Sequence, residues 1–526
     1  MKQFLTTFLA VILAQILLLF LVGFGFMLIV GVAMVGAGGG DVAVPAQATL
    51  VQEIPSSYFE YTPPLQLPLP KKQPTQTMIL ENLEKAGRDG RIAQVVLKIA
   101  PPMVGWGKLQ ELRRQVARLR QTGTPVYAYA DFFTQKGLYL ASACDSVFLS
   151  PRGMCWLTGL MSERYYFKEL ADRIGIDFQV SQIREYKSAA EMVQRTDMSP
   201  AVRENAEWVL EDLYQELLTT VADDQGLATE EVENWLDVAL FDPEEATERG
   251  IIDGALFWEE LEARLAGTDE ELATVRGLDY SNVSRAQVDL SGPRVAVVHG
   301  QGMITAGESG WASPLGVSMG DETMIEALEQ ALEDERIEGV LLRLDTPGGL
   351  GLASDRIGRT VERVAREKPV VISSVDLNAS GGYMISYRCS TIVALPNSVV
   401  GSIGSIAARG SMAELSEKLG VSWDRVTVGP HATILSPVLP LTEEEFARFE
   451  EVHEEDYQDW LAGISEYRSM TTAQIEGLAG GRVFTGRQAL GNGLIDDLGG
   501  FQDALAILKQ QAGIDPGEEV TYLHLP

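Results

Sequence analysis

Short apolar runs alternate with amphipathic stretches along most of this chain. Residues 95–99 (Val-Val-Leu-Lys-Ile) read as a buried strand, 108–120 as a helix, 125–130 as a strand, 137–143 as a short helix and 147–149 as another strand. A second series begins near Pro293, with strands at 295–298, 340–344, 369–372 and 391–395 and helices at 321–332 and 354–367. Strands alternating with helices in this way predict α/β layers. The run at 50–54 predicts a further strand docked on the first series. Upstream the pattern is different: residues 3–40 carry no charge, and 4–35 are almost wholly apolar. A membrane span needs about 20 such residues, and the apolar part of a cleavable signal peptide is only roughly 7–15 long. A transmembrane anchor is therefore expected over 1–40. Lys2 precedes it and no further cation occurs until Lys71, which places the amino end in the cytoplasm and the remainder outside.

The two series are copies of one another. Tyr139 falls on Tyr383 and Gly175 on Gly420 at nearly the same shift. Later, Phe241, Ala246, Gly250, Ile252 and Asp253 fall on Phe484, Ala489, Gly493, Ile495 and Asp496 at one constant shift. Thr485 and Gln488 have capping-box spacing, so this copied segment opens a helix. The expected organisation is an anchor (1–40), a Pro-rich linker (41–77), a first repeat (78–275), a linker (276–292) and a second repeat (293–526).

Composition narrows the chemistry. The 526 residues are 46% apolar and 22% charged, as in a multidomain globular protein, and the net charge of −32 argues against nucleic acid. An acidic surface of this kind also suits high salt. Cys144, Cys155 and Cys389 form neither a disulfide framework nor a CxxC pair. Of the four histidines (His299, His431, His453, His524), His453 opens the string His-Glu-Glu-Asp-Tyr, which fails the HExxH pattern of a zinc protease. No metal or other cofactor is expected. The acidic run 442–456 reads as a solvated helix with a capping box at Thr442 and Glu445, and His299 as a packed strand residue.

The segment 378–405 carries the candidate chemistry. Ser380 stands among small residues (Ala379-Ser380-Gly381-Gly382) just ahead of a helix-compatible stretch, and a Gly401-Ser402 pair closes the segment. A serine there either caps the helix or points its hydroxyl into a cleft beside N–H groups able to hold an oxyanion. The duplication separates the halves: Lys136 stands where Ser380 falls, and Pro102-Met103-Val104 stands where Pro347-Gly348-Gly349 falls. Position 378 is Asn, so Ser380 is not in a G-x-S-x-G elbow.

Four motifs, in this order and spacing, resemble the signal peptide peptidase A serine proteases of the long two-repeat type, peptidase family S49. They are Glu185-Tyr186-Lys187-Ser188-Ala189, Thr346-Pro347-Gly348-Gly349, Ala379-Ser380-Gly381-Gly382-Tyr383 and Gly401-Ser402-Ile403-Gly404. The resemblance covers about residues 80–510. It implies a tandem duplicated crotonase/Clp-protease-like α/β fold of ββα spiral units behind the anchor. It also implies a Ser/Lys dyad with Ser380 as nucleophile, Lys187 from the first repeat as general base and Ser402 orienting the lysine. The implied oxyanion hole is the N–H groups of Gly348 and Gly381. A lysine with an ordinary pKa of about 10.4 would be charged, so burial has to bring it toward roughly 7–8 for it to act as a base. The usual Asn-Ser before Pro-Gly-Gly is Asp345-Thr346 here, which is expected to put a negative charge near the cleft.

The implied function is a membrane-anchored serine endopeptidase that degrades released signal peptides and other small membrane-associated peptides. The family resemblance further implies a homotetramer on the outer face of a bacterial inner membrane. Two rival readings share the fold. One is a crotonase-type acyl-CoA enzyme, disfavoured by the Ser/Lys pairing and the lack of a basic cluster for CoA phosphates. The other is a non-catalytic membrane scaffold, disfavoured by intact Ser380, Lys187 and Gly348-Gly349.

Overall fold

The structure, a computed structural model, describes residues 42–62, 73–267, 271–311 and 316–526. The expected anchor lies outside the described residues, and among those described no helix is long and apolar enough to cross a membrane. In chain order, β1 (Ala48–Ile54), β2 (Ile92–Ile99), β3 (Val126–Thr134) and β4 (Ser146–Trp156) come first, followed by β5 (Asp177–Gln182). Next are β6 (Leu240–Phe241), β7 (Gly254–Ala255) and β8 (Thr274–Arg276). The second half supplies β9 (Arg294–Gln301), β10 (Met303–Thr305), β11 (Gly310–Trp311), β12 (Val317–Gly320), β13 (Ile337–Thr346) and β14 (Val370–Ala379). It ends with β15 (Ile392–Ala394), β16 (Val399–Gly401), β17 (Ile406–Ser411), β18 (Val483–Thr485), β19 (Asp497–Leu498) and β20 (Thr521–Leu525).

The α/β expectation is met by two mainly parallel sheets. One runs β6-β4-β3-β2-β1-β8 with β7 beside β4, and the other β18-β16-β14-β13-β9-β20 with β15 and β19 alongside. Strand for strand these are the same sheet, and the copied residues do the same work in each. Phe241 and Phe484 are both buried. Asp253 accepts from Val147 N at 2.6 Å and Asp496 from Ile392 N at 2.7 Å, so each aspartate ties its turn to the start of a strand. Central strands such as β2 and β13 are covered on both faces, which is why they read as nearly continuous Val/Leu/Ile runs.

The expected linkers are not free connectors. β1 lies inside the sheet, between β2 and β8, although it falls in 41–77. The segment 276–292 buries Tyr280, Val283 and Val288. Each copy needs its first and last strands to complete its sheet, so the first unit begins at β1 and runs through β8.

Buried charge joins the halves. Arg343 on β13, 1% exposed along its side chain, forks onto Glu60 at 2.6 Å and onto Glu111 of the first-repeat helix Trp106–Gln121 at 2.9 Å. Lys108 of the same helix pairs with Asp345 at 2.6 Å and lies 3.8 Å from Asp376 on β14. Asp376 also accepts from Gly105 N (2.9 Å) and Lys108 N (2.8 Å), and so caps a helix of the other repeat. Asp345 therefore does not charge the cleft, as the sequence suggested; Lys108 and Leu377 N hold it at the seam between repeats.

Candidate active site

Three neighbouring strands deliver the site from their carboxyl ends. In the parallel register Thr346 lies opposite Asn378, and Ala379 opposite Gly401. The Pro-Gly-Gly turn after β13, Ser380 after β14 and Ser402 after β16 thus emerge side by side. This is where parallel sheets usually present their ligand groups. Ser380 precedes the helix Gly381–Ser386 with φ 56° and ψ −115°, and Ser402 has φ 50°. Both serines occupy backbone regions that cost a non-glycine residue on the order of 1 kcal/mol or more. Bonds from Ser380 N to Gly401 O (2.8 Å) and from Ser402 N to Arg482 O (2.8 Å) hold them there.

Lys187 reaches the same point from the first repeat. β5 pairs antiparallel with β17, the continuation of β16, so the chain leaving β5 runs back toward Ser402. Tyr186 N then bonds Gly480 O at 3.0 Å, and Gly481, with φ +93°, packs directly against the Lys187 backbone. The Lys187 Nζ lies 2.8 Å from Ser380 Oγ, 3.0 Å from Ser402 Oγ and 2.7 Å from Ser402 O. Among the described residues no carboxylate pairs with it, and burial pushes the amine down to about 7.

The predicted residues Ser380, Lys187 and Ser402 thus stand within hydrogen-bonding reach of one amine. Gly381 opens the helix after Ser380, so its N–H has no acceptor within that helix. Gly348 differs from expectation. Its N–H is donated to Thr346 Oγ1 at 3.1 Å, and its φ of +100° serves close approach, since a Cβ there would lie 2.6 Å from that of Ser380. Gly349, not Gly348, lines the cleft beside Gly381. The backbone of Ile304 fixes this turn, with Ile304 N bonded to Gly348 O (2.9 Å) and Leu350 N to Ile304 O (3.0 Å). The Gly-Gly pair was visible in the sequence; which of its N–H groups stays free depends on the Thr346 hydroxyl.

The cleft beside these groups encloses about 620 Å³, and its wall is mixed, with Leu350, Leu352, Met384, Ile406 and Trp460 beside the charged Asp355, Arg359, Arg388, Asp456 and Asp459. In the first repeat the corresponding place is closed. Lys136 gives its amine to Val104 O at 2.6 Å and lies over the Trp106 ring, 5.4 Å from its centre. His299, expected as packed, is buried and bonded to His524 at 2.9 Å. Among the described residues no cluster suited to a metal ion occurs.

Comparison with known proteins agrees with the duplicated layout. The profile of peptidase family S49 matches twice, over residues 118–272 and 362–515. A chloroplastic serine protease SPPA of Arabidopsis thaliana is 34% identical over 85% of this chain and 67% of its own length. Protease 4 of Salmonella typhi is 30% identical (76% of this chain, 65% of that protein), and Protease 4 of Haemophilus influenzae 28% (75% and 66%). The matched region thus spans about two thirds of each relative. Among solved structures, a ClpP1 variant from Listeria monocytogenes aligns with 40% of this chain and 94% of its own, at 14% identity and a TM-score of 0.25. With both halves matched by one profile and with these relatives, the chain belongs to peptidase family S49, a family of serine peptidases.

Proposed function

We propose that this protein is a membrane-anchored serine endopeptidase in which Ser380 is the nucleophile and Lys187 the general base. The observation that carries the reading is an amine able to lose its charge 2.8 Å from a serine hydroxyl, buried and without a carboxylate partner among the described residues. Neutral Lys187 takes the Ser380 proton as Oγ attacks the peptide carbonyl. Ser402 orients the amine through its hydroxyl and carbonyl. The N–H groups of Gly381 and Gly349 hold the oxyanion. The protonated amine then passes its proton to the leaving nitrogen, and water, activated by the same lysine, releases the acyl group.

The apolar part of the cleft wall, Leu350, Leu352, Met384 and Ile406, favours small or aliphatic side chains beside the scissile bond, as in released signal peptides. The uncharged stretch 3–40 is the feature that argues for a membrane anchor with the catalytic repeats outside a bacterial inner membrane. The family resemblance implies a homotetramer, and exposed apolar side chains, among them Met161, Tyr165, Leu419, Val426 and Val428, offer surface for such an assembly. Light scattering of the purified protein should give four times the chain mass, reduced by Val426→Asp; a monomer at all concentrations refutes the assembly.

The decisive test is hydrolysis of a small-residue fluorogenic peptide by wild type and Lys187→Ala. The variant should lose about 10³-fold or more in kcat with its circular dichroism unchanged. Wild-type kcat/KM should rise with pH through about 7, because the base works only when deprotonated. Equal cleavage by both proteins would place the base elsewhere.

A further inference from the structure

A second serine in the cleft has its own base. Ser405, three residues beyond Ser402, lines the same cleft as Ser380. Its Oγ lies 2.7 Å from Nε2 of His453, and the other ring nitrogen, Nδ1, lies 2.7 Å from Oγ of Ser181 on β5. The imidazole is buried on the helix Glu443–Arg468, and burial lowers its pKa below the ordinary 6.5, so it is uncharged at neutral pH. A neutral imidazole has one donor and one acceptor nitrogen. In the tautomer that carries its proton on Nδ1 and gives it to Ser181, Nε2 accepts the Ser405 proton; in the other, Ser181 donates to Nδ1 and Nε2–H donates to Ser405. The first tautomer aligns nucleophile, base and orienting group as in an activated serine. The Lys187 amine is already shared between Ser380 and Ser402, so the first site makes no use of this array.

We propose that Ser405 is a second nucleophilic serine, with His453 as its base and Ser181 as the orienting hydroxyl, that accepts acyl or phosphonyl groups from activated electrophiles entering the cleft. With an activated ester, Ser405 Oγ forms the bond to the carbonyl carbon and the alkoxide departs. The Oγ proton passes to His453 Nε2 and from there to the leaving oxygen. Ser181 orients the ring without the negative charge that an aspartate would offer the imidazolium. Ser405 therefore reacts more slowly than a full triad serine. The inference does not rest on the roles given to Ser380 and Lys187.

The test treats full-length Ser380→Ala protein with an alkyl fluorophosphonate, so that fluoride leaves as the Ser405–phosphorus bond forms. Mass spectrometry should find one adduct per chain, on the peptide containing Ser405. Adding His453→Gln should slow its formation by about tenfold or more, and adding Ser181→Ala should slow it less. Absence of an adduct on folded Ser380→Ala protein overturns the proposal, as does an adduct only at another residue. An unchanged rate with His453→Gln also overturns it. Should that variant fail to fold, an unchanged rate with Ser181→Ala has the same force.

Discussion

Lys187 is brought to about 7 by burial, against 10.5 for a free lysine, and that difference has a consequence for stability. Between those pH values the unfolded chain holds a proton that the folded chain has released, so stability rises with pH across the window. The cost is complete below pH 7 and gone above 10.5. Lys187→Met removes this dependence. Relative to wild type the variant should gain on the order of a few kcal/mol between about pH 10 and about pH 6.5. Urea denaturation at the two pH values measures it, and a pH-independent difference would show that this amine does not titrate as described. Ser380 stood out among its small neighbours, whereas Lys187 and Ser402 read as ordinary surface and turn residues until the order of the four motifs was set beside the family's. Gly349 was not distinguishable from Gly348, since the Thr346 hydroxyl chooses between them. The pairing of Ser405 with His453 was not legible, because 48 residues separate them and the acidic surface of the histidine's helix dominates its pattern.

Among the elements, the antiparallel β5–β17 pair and the Gly480-Gly481 turn do most to aim the lysine. A methyl group on Gly481 would land on the Lys187 backbone, and its φ of +93° disfavours any side chain. Gly481→Ala should therefore displace the amine from Ser380 and cost on the order of 10²-fold in kcat, with a smaller change in KM. Peptide kinetics beside circular dichroism checks this; a folded variant with full kcat would show that the turn does not position the lysine. The strong apolar runs predicted the central strands well, with 95–99 lying in β2, 295–298 in β9 and 340–344 in β13. β5 (Asp-Phe-Gln-Val-Ser-Gln) and β17 (Ile-Ala-Ala-Arg-Gly-Ser) gave no such pattern, being mostly half-buried on both faces. Each is a strand only because the other, from the opposite repeat, supplies its hydrogen bonds.

At the scale of the whole molecule, the two copies adhere through charge rather than through apolar surface alone. Burial pushes the Glu60 carboxyl above its ordinary range even though Arg343 pulls against it, and one Glu60 oxygen has no partner among the described residues. Arg343→Met would leave Glu60 and Glu111 without their cation and should destabilise the protein by about 3–5 kcal/mol. Adding Glu60→Gln and Glu111→Gln should recover much of that loss. Chemical denaturation of the single and triple variants tests it, and equal losses in both would mean that the charges are not coupled. The duplication was legible because identical turns must be tied by identical residues, as with Asp253 and Asp496. The seam was not, because its partners are far apart in the chain and read individually as surface charges. The division of the site between copies also sets a clock. Lys187 and Ser380 are 193 residues apart, and Gly481, which backs the lysine, follows later still. At roughly 5–20 residues per second, the ribosome exposes the first half for many seconds before the serine exists. Throughout that interval the nascent chain holds an amine with nothing to activate. With the roles proposed for Lys187 and Ser380, a peptidase so divided stays silent until its second copy has been made.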